Sequence, residues 1–535
     1  MKQTEFNLCT EPWIPVMADD CSVREVSLED ALLNAHSYAD LRGELPTQDV
    51  AVMRLLLAIL YTIFSRVDAD GNPAPLRTAE DAFVRWGELW ERGRFPEKPI
   101  QDYLAEWRER FWLFHPQMPF WQVPEADKGT AYTAAKLNGE MSESSNKLRL
   151  FAPFCGEGKE SLTYAQAARW LLYVNGYDDT SAKPKEKGLP SPGCGWLGQL
   201  GLISAAGENL FETLMLNLTM LRDGEQCWDG AHPCWEREKP RAQERTEIPL
   251  PKDIAELYTL QSRRLLLMRS ADKVTGYSLL GGDFFPKVNA LSEQMTVWAP
   301  VMGKGSEIDG YRPRRHDPSR QMWREFANLF LEQSNARRPG VVQWITQLKN
   351  GTGLLKKEKM VHFRIASVQY GDKDFFMTDV FEDSLTFHAD LLASLGRGWQ
   401  THIADEIARC DLLAAQIGYL AGDLEKAAGS KNETAAPKAK EQFYHQLDVP
   451  FRRWLVSIDP LCSRAEELEK RQEWLETVQE IARKMGREMV EISGENAFTG
   501  RMVTVRDHGK EISRHYSAPE SLNWFYYQVK KICNS

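Results

Sequence analysis

The sequence has few cysteines for its length, and their spacing is irregular. None of the nine forms a C-x-x-C pair, and an odd number of scattered thiols is typical of reduced, mostly buried cysteines rather than of a disulfide framework. Cys227, His232 and Cys234 come nearest to a zinc site but lack a second pair of ligands. The pattern favours structural thiols over zinc, and we predict neither a metal nor a cofactor.

Long apolar runs and a leader segment are also missing. No run approaches the ~20 residues that cross a bilayer as a helix. The first residues, MKQTEFNLCTEPWIPV, have neither a charged region nor an apolar region of the kind that marks a secretory signal. We therefore expect a cytoplasmic protein without a membrane partner.

Motifs of common enzymes are absent as well. The chain has no GxxxxGK[ST] phosphate loop, no GxSxG elbow and no HExxH pair. His316 and Asp317 leave one alternative, a metal-dependent HD-type phosphohydrolase, but such a site needs further His and Asp ligands and the ten histidines are dispersed. The sequence favours a protein that is not itself an enzyme and has no catalytic residues.

Excess positive charge is missing overall but not locally. The net charge is −10, which argues against a uniformly basic nucleic-acid binder, although phosphate contacts need only a local basic surface. Residues 311–338 hold seven arginines against three acidic residues. This segment is either such a surface or an ordinary solvated face.

The length of 535 residues predicts more than one domain. Up to residue 382, short strands alternate with helices, and the almost wholly apolar stretch 47–64 predicts a buried helix. HFRIASVQY and FFMTDVF flank the polar residues 371–374, which predicts a β-hairpin. From 383 onward, apolar residues recur every three or four positions in four stretches. We predict an α+β fold with a mixed domain over 1–382 and an all-α four-helix bundle over 383–535.

Several short blocks, in the same order, resemble those of the CasA family, the large subunit of the type I-E CRISPR surveillance complex called Cascade. The resemblance covers nearly the whole chain. The blocks are Phe6-Asn7-Leu8 with Glu11-Pro12-Trp13-Ile14-Pro15-Val16, His115-Pro116 with Pro119-Phe120, Gly195-Trp196-Leu197-Gly198-Gln199-Leu200-Gly201 with Gly207-Glu208-Asn209-Leu210, Gln261-Ser262-Arg263-Arg264, Pro313-Arg314 with His316-Asp317-Pro318, and Phe443-Tyr444.

The resemblance implies a binding role in an RNA-guided antiviral complex. Such a subunit recognises the protospacer-adjacent motif in target double-stranded DNA, helps to open the duplex and recruits a separate helicase-nuclease, while base pairing with the guide reads the remaining sequence. The implied partners are the other Cascade subunits, the 5′ end of the CRISPR guide RNA, the target DNA and the helicase-nuclease. A pure scaffold subunit is the alternative.

The resemblance also implies two nucleic-acid-binding loops. The guide RNA would be contacted by Asn146, Lys147, Arg149 and Phe151, where Phe151 either stacks on a base or anchors the loop in the core. The minor groove would be contacted by Thr180, Ser181, Ala182 and Lys183, but this sequence lacks the glycine that relatives carry there, and Cβ atoms limit how closely a backbone approaches DNA. Lys183, Lys185 and Lys187 either bind phosphates or belong to a solvated loop.

The hairpin tip takes the position of the family's wedge, which separates the strands. Asp372 and Lys373 would be its DNA-contacting residues, with an ordinary exposed tip as the alternative. The family's minor-groove lysine aligns with Gln294, and Lys287 and Lys304 lie nearby in the sequence. The implied DNA-binding set therefore includes Gln294.

Overall fold

The computed structural model describes residues 4–137, 154–181, 183–305, 307–332, 337–350, 353–355, 360–393, 396–430, 434–507 and 510–534. The chain divides into two compact units. The N-terminal unit comprises Met1–Pro318, Asn328–Lys356 and Val361–Ser384, and the C-terminal unit comprises Ser319–Ala327, Lys357–Met360 and Leu385–Ser535.

Helices before residue 351 are mostly short. In chain order they are α1 Leu28–Leu33, α2 Pro46–Phe64, α3 Ala79–Arg92, α4 Glu97–Trp107, α5 Ala134–Leu137, α6 Glu157–Glu160, α7 Tyr164–Tyr177, α8 Leu210–Asn217, α9 Ile254–Tyr258, α10 Phe326–Phe330 and α11 Gly340–Asn350.

Strands are distributed along almost the whole chain. They are β1 Glu5–Asn7, β2 Ile14–Ala18, β3 Val23–Val26, β4 Tyr38–Leu41, β5 Trp112–Phe114, β6 Thr130–Thr133, β7 Leu202–Ala206, β8 Leu221–Arg222, β9 Gln226–Cys227, β10 Thr246–Glu247, β11 Arg263–Ser270, β12 Lys273–Gly281, β13 Asp283–Phe284, β14 Trp298–Met302, β15 Ile308–Pro313, β16 Met360–Tyr370, β17 Met377–His388, β18 Arg501–Asp507 and β19 Lys510–Tyr516.

The N-terminal unit is built on small sheets around a buried helix. Its three-stranded sheets have the orders β3-β2-β4, β11-β12-β6 and β17-β16-β7. In the last sheet β16 runs antiparallel to β7, with Ile365 opposite Ile203. Contrary to the expectation that no run is long enough, helix α2 could cross a membrane by length and composition alone, but 94% of its most apolar window is buried in the protein. The stretch 47–64 is thus a core helix, as predicted.

Long helices dominate the C-terminal unit. They are α12 Arg397–Ala428, α13 Ala435–Val456, α14 Arg464–Glu491 and α16 Ala518–Asn534, with the short α15 Glu495–Thr499 between the last two. Burial of their apolar faces drives this packing, because isolated helices gain little stability from propensity alone. Trp454 of α13 stacks on Trp474 of α14 with ring centroids 5.3 Å apart. The capping box of Ser463 and Glu466 begins α14.

Two segments differ from the prediction of an all-helical region after residue 382. Strand β17 continues to His388, because Leu385 and Phe387 alternate with less buried residues and fit a strand. A hairpin of β18 and β19 lies between α15 and α16. Its β-branched run at 503–505 favours extended backbone, a local signal that the longer helical pattern concealed. The prediction of a mixed helix-and-strand protein is confirmed.

Candidate nucleic-acid interface

The loop that we predicted to enter the minor groove begins where α7 ends. A capping box of Thr163 and Gln166 fixes the start of α7, and the helix ends at Tyr177. The next residues, Asp178 and Asp179, are only 6% and 1% exposed. Two carboxylates this deeply buried need positive partners, since an unpaired buried charge is strongly destabilising.

Arg263 holds both ends of this loop. Its guanidinium is 1% exposed, and Nε donates to Oδ2 of Asp178 at 2.6 Å. Nη2 donates to the backbone oxygens of Asp179 at 2.9 Å and of Gly193 at 2.6 Å. Because one planar guanidinium bonds to Asp178 and Asp179 on one side and to Gly193 on the other, the two ends of the loop are fixed relative to each other.

Lys136, at the end of the described part of α5, neutralises the second acid. Its Nζ lies 3.8 Å from Asp178 and 3.7 Å from Asp179, and the lysine side chain is 8% exposed. It also donates to the hydroxyl of Ser181, whose backbone N–H donates to Asp179. The polar atoms of Ser181 are therefore used within the loop framework.

The predicted loop and the predicted hairpin tip contact each other. The backbone N–H of Thr180 donates to the backbone oxygen of Asp374 at 3.1 Å. The hydroxyl of Thr180 donates to the backbone oxygen of Lys373, also at 3.1 Å, across 193 residues of sequence. Two segments that the resemblance assigned to the same DNA site thus form one continuous surface.

Arg315 fixes the hairpin tip through hydrogen bonds to Asp374, a contact that we call the clamp. Its Nη1 and Nη2 lie 2.6 Å and 3.0 Å from the two carboxylate oxygens of Asp374. Nε donates to the backbone oxygen of Gly198 at 2.6 Å, and Nη2 also donates to Sγ of Cys194 at 3.0 Å. The bonds from Arg315 lower the pKa of the Asp374 carboxyl below its usual value. The bidentate geometry fixes the direction of Asp374 as well as its charge.

The backbone of the tip is strained. Lys373, Asp374 and Phe376 have φ values of 57°, 58° and 63°, a left-handed region in which residues other than glycine are uncommon. Such conformations cost about 1–3 kcal/mol each and persist only where surrounding contacts impose them. The bonds from Arg315 and Thr180 are contacts of that kind.

Lysines on both sides of the contact are available to phosphates. Lys183, Lys185 and Lys187 on the loop are exposed, as are Asp372 and Lys373 on the tip. Lys287 is also exposed, and its charge contributes to the lowered pKa of the Asp374 carboxyl, so it lies near the tip.

Gln294 is less exposed than the other described residues of the predicted DNA-binding set. Its side chain is only 4% exposed, and its amide nitrogen donates to the backbone oxygen of Leu291 at 2.9 Å. Its own backbone oxygen accepts from the N–H of Val341 at 3.0 Å. The role of Gln294 in DNA binding stays a prediction, and the exposed Lys287 is a further candidate.

Some predicted residues lie outside the described part of the chain. These are Ala182 of the minor-groove loop and the guide-RNA set Asn146, Lys147, Arg149 and Phe151.

The metal-dependent alternatives gain no support from geometry. His316 is 9% exposed, and its Nε2 lies 2.9 Å from the backbone oxygen of Leu202, which gives it a packing role. Sγ of Cys227 bonds to the backbone of Thr78, and His232 pairs with Asp253. Over the described ranges, no three His, Cys, Asp or Glu side chains come together as metal ligands would.

The residues that support this site could not be recognised from the sequence. Arg263 and Arg315 lie within or beside blocks that resemble the family, but an arginine in a sequence does not reveal its partner. Lys136 carries no motif at all. Each becomes recognisable only when its carboxylate partner is known.

Steric crowding explains why two positions of the block Gly195–Gly201 are occupied by glycine. A Cβ at Gly201 would lie 2.1 Å from the backbone oxygen of Arg314, next to the clamp, and one at Gly198 would lie 2.0 Å from the hydroxyl of Tyr370. Real side chains do not approach so closely, so the backbone around Arg315 is packed against glycine.

We therefore expect Gly201→Ala to destabilise the protein by about 1–3 kcal/mol, the usual cost of overpacking. Gly422→Ala is the control, since nothing lies within 4 Å of a Cβ there and alanine in a helix is favoured by about 0.5–1 kcal/mol. Urea unfolding of both variants measures the difference. Equal stability of the two would contradict the steric explanation.

Comparison with known proteins agrees with the resemblance. The family described as CRISPR-associated protein Cse1 matches residues 7–485. The chain is 28% identical over 485 residues to CRISPR-associated protein CasA/Cse1 of Thermus thermophilus, covering 86% of this chain and 88% of the relative. The crystal structure of Thermobifida fusca Cse1 is 28% identical, with a TM-score of 0.83 over 99% of this chain and 98% of that one. Cse1 from Acidimicrobium ferrooxidans is 25% identical, with a TM-score of 0.78 over 100% and 99%. The chain belongs to the CRISPR-associated Cse1 family.

Proposed function

We propose that this protein is the large subunit of a type I-E CRISPR surveillance complex and recognises the protospacer-adjacent motif in target double-stranded DNA. The loop 179–183 approaches the minor groove, and the tip 371–374 enters the duplex beside the motif and begins to separate the strands. It acts by binding, and catalysis belongs to a separate helicase-nuclease that it helps to recruit.

The contact between Thr180 and the tip carries this proposal. A groove-binding loop and a strand-separating tip must act on adjacent base pairs, and the bonds from Thr180 to Lys373 and Asp374 hold the two together. Lys183, Lys287 and Lys373 are exposed around them and supply charge for the DNA backbone.

The minor groove suits recognition by a short polar loop such as 179–183. Its pattern of donors and acceptors is degenerate, so a short polar loop can accept several related motifs. Opening the duplex costs a few kcal/mol per base step, which contacts to the bent or opened DNA can offset. A tip already held in one conformation loses less entropy on insertion than a mobile one.

The remaining partners follow from family membership. We propose that the protein assembles with the other Cascade subunits in the cytoplasm and that residues 146–151 contact the 5′ end of the guide RNA. Residues 383–535 are proposed to form a separate domain whose four long helices, a bundle, contact neighbouring subunits. A pure scaffold, the competing role, would need no basic surface around the tip.

Neutralising the three lysines tests the role in DNA binding. We expect the assembled complex carrying Lys183→Gln, Lys287→Gln and Lys373→Gln to bind motif-bearing duplex more weakly. The slope of log K against log salt should become shallower by about 0.9 for each DNA phosphate that the variant no longer neutralises. Lys98→Gln, an exposed lysine on α4, is the matched control.

The outcomes separate the two roles. A triple variant that assembles normally but shows weaker affinity and a shallower slope supports DNA recognition by this subunit. Unchanged affinity, slope and motif preference would favour the scaffold.

A further inference from the structure

A second feature of the N-terminal unit is a cavity beside the base of the loop. Its volume is about 190 Å³, larger than the ~150 Å³ apolar cavity that holds a benzene ring. Its walls include Trp196, Gln199, Arg245, Phe285 and Lys287. Cations and aromatic rings thus line one partly open cavity.

Arg245 has an unusual set of partners. Its guanidinium lies over the ring of Phe284 at 4.1 Å, and within the described chain it donates only to backbone oxygens, of Gly282 at 3.2 Å and of Ser191 at 3.4 Å. Its Nε is buried and has no hydrogen-bond partner among the described residues. Neighbouring Arg264, in contrast, pairs with Asp283 at 2.6 Å.

The surroundings of Arg245 favour an anion. Burial, together with the like charges of Arg263 and Arg264, lowers the pKa of the Arg245 guanidinium to about 10. The carboxylate of Asp283 lines the same cavity, but it pairs with Arg264 at 2.6 Å and with Arg241 at 2.8 Å. Among the described residues, the half-buried Arg245 forms no ion pair of its own. Lys287 adds a second cation to the same wall.

The rest of the cavity suits a ring that donates hydrogen bonds. The amide nitrogen of Gln199 donates to the backbone oxygen of Cys194 at 2.9 Å, while its Oε1 is buried without a partner in the described chain. Trp196 and Phe285, with ring centroids 4.7 Å apart, form an aromatic wall. A base with an N–H group meets both requirements, since every base has a face that stacks on aromatic side chains.

We propose that this cavity binds a single nucleotide, with its phosphate at Arg245 and Lys287 and its base against Trp196 and Phe285, donating to Gln199. The same chemistry comes from a free nucleotide or from an unpaired nucleotide of an opened strand. Only the second source rests on the proposed function.

Calorimetric titration of the full-length protein tests the site. Cytidine monophosphate should bind more tightly than ribose 5-phosphate, which lacks the base, and than cytidine, which lacks the phosphate. Arg245→Gln should lower the affinity for cytidine monophosphate about tenfold or more, as expected for loss of a charged hydrogen bond. Arg77→Gln, an exposed arginine of the same unit, should change nothing.

Further variants protect the test against misfolding. If Arg245→Gln lowers the melting temperature, Lys287→Gln at an exposed position and Gln199→Leu at an uncharged one are compared with the unmodified protein instead. Each should lower the affinity for cytidine monophosphate. No binding of the nucleotide, equal binding of inorganic phosphate, or unchanged affinity in all three variants would overturn the proposal.

Competition identifies the source of the nucleotide. A duplex with one unpaired nucleotide that displaces cytidine monophosphate better than a fully paired duplex assigns the ligand to opened DNA. Equal displacement by the two duplexes, or none, assigns it to a free nucleotide. Because cytidine monophosphate is titrated without DNA, its binding stands or falls independently of motif recognition.

Discussion

Arg315→Ala should slow duplex opening by the assembled complex about tenfold or more, because hydrogen bonds to charged groups contribute about 1.5–3 kcal/mol and 1.4 kcal/mol corresponds to a factor of ten. The variant should lower the rate of duplex opening more than it lowers the initial affinity for motif-bearing DNA. Fluorescence of 2-aminopurine placed beside the motif measures opening, and filter binding measures affinity.

The physical reason is the strain of the tip. Lys373, Asp374 and Phe376 adopt left-handed backbone conformations that relax when the bonds holding them are removed. Arg315 and Asp374 are about one third exposed, 31% and 35%, so solvent weakens their attraction relative to a buried pair. The larger effect comes from geometry, since an unclamped tip samples many conformations and only one is held against Thr180.

A double-mutant cycle separates this role from general destabilisation. Asp374→Ala alone should slow opening similarly, and the double variant should be little worse than either single variant. Arg92→Ala removes the exposed pair with Asp70, whose side chains are 44% and 71% exposed, and should leave opening unchanged. Additive losses in the cycle, or normal opening by Arg315→Ala, would contradict the clamp.

Glu293→Gln should lower the free energy of unfolding by about 3–5 kcal/mol, the usual effect of breaking a buried ion pair. The carboxylate is fully buried and accepts two bonds from Arg54, at 2.8 and 2.9 Å. It also accepts from the indole nitrogen of Trp196 at 2.9 Å. The glutamine leaves the positive charge of Arg54 buried without compensation.

Urea unfolding of the isolated protein measures this change. Asp70→Asn, which removes the acid of the exposed pair with Arg92, is the matched control and should cost no more than about 1 kcal/mol. A loss below that value for Glu293→Gln would mean that Arg54 finds another partner. The core around Trp196 would then be less dependent on this pair than its geometry indicates.

The sequence predicted the parts of the candidate site better than their arrangement. Alternating apolar residues on either side of a polar tetrapeptide predicted the hairpin, whereas the position of the loop came from the resemblance to the family. Their contact joins residues 193 positions apart, and no local pattern encodes such a distance. Arg263 and Arg315 act through partners far away in the sequence, so their roles depend on the fold.

Gln294 illustrates a different limit. An alignment matches positions in a sequence, but burial depends on how the surrounding segments pack. The chain around Gln294 packs beside α11, where Val341 donates to its backbone, and the side chain is enclosed. The exposed Lys287 lies only seven positions earlier. Sequence position alone therefore does not reveal which of the two side chains is accessible.

The surface formed by Thr180 and the tip should touch target DNA beside the motif. A photocrosslinking amino acid introduced at position 180 or 373 of the assembled complex tests this most directly, with position 84, where Val84 is 53% exposed on α3, as the control. We expect crosslinks from 180 and 373 to the base pairs next to the motif, none from 84, and no crosslinks from any of the three when the motif is changed. Motif-dependent DNA binding without crosslinks from 180 or 373, or with equal crosslinks from 84, would contradict the proposed interface.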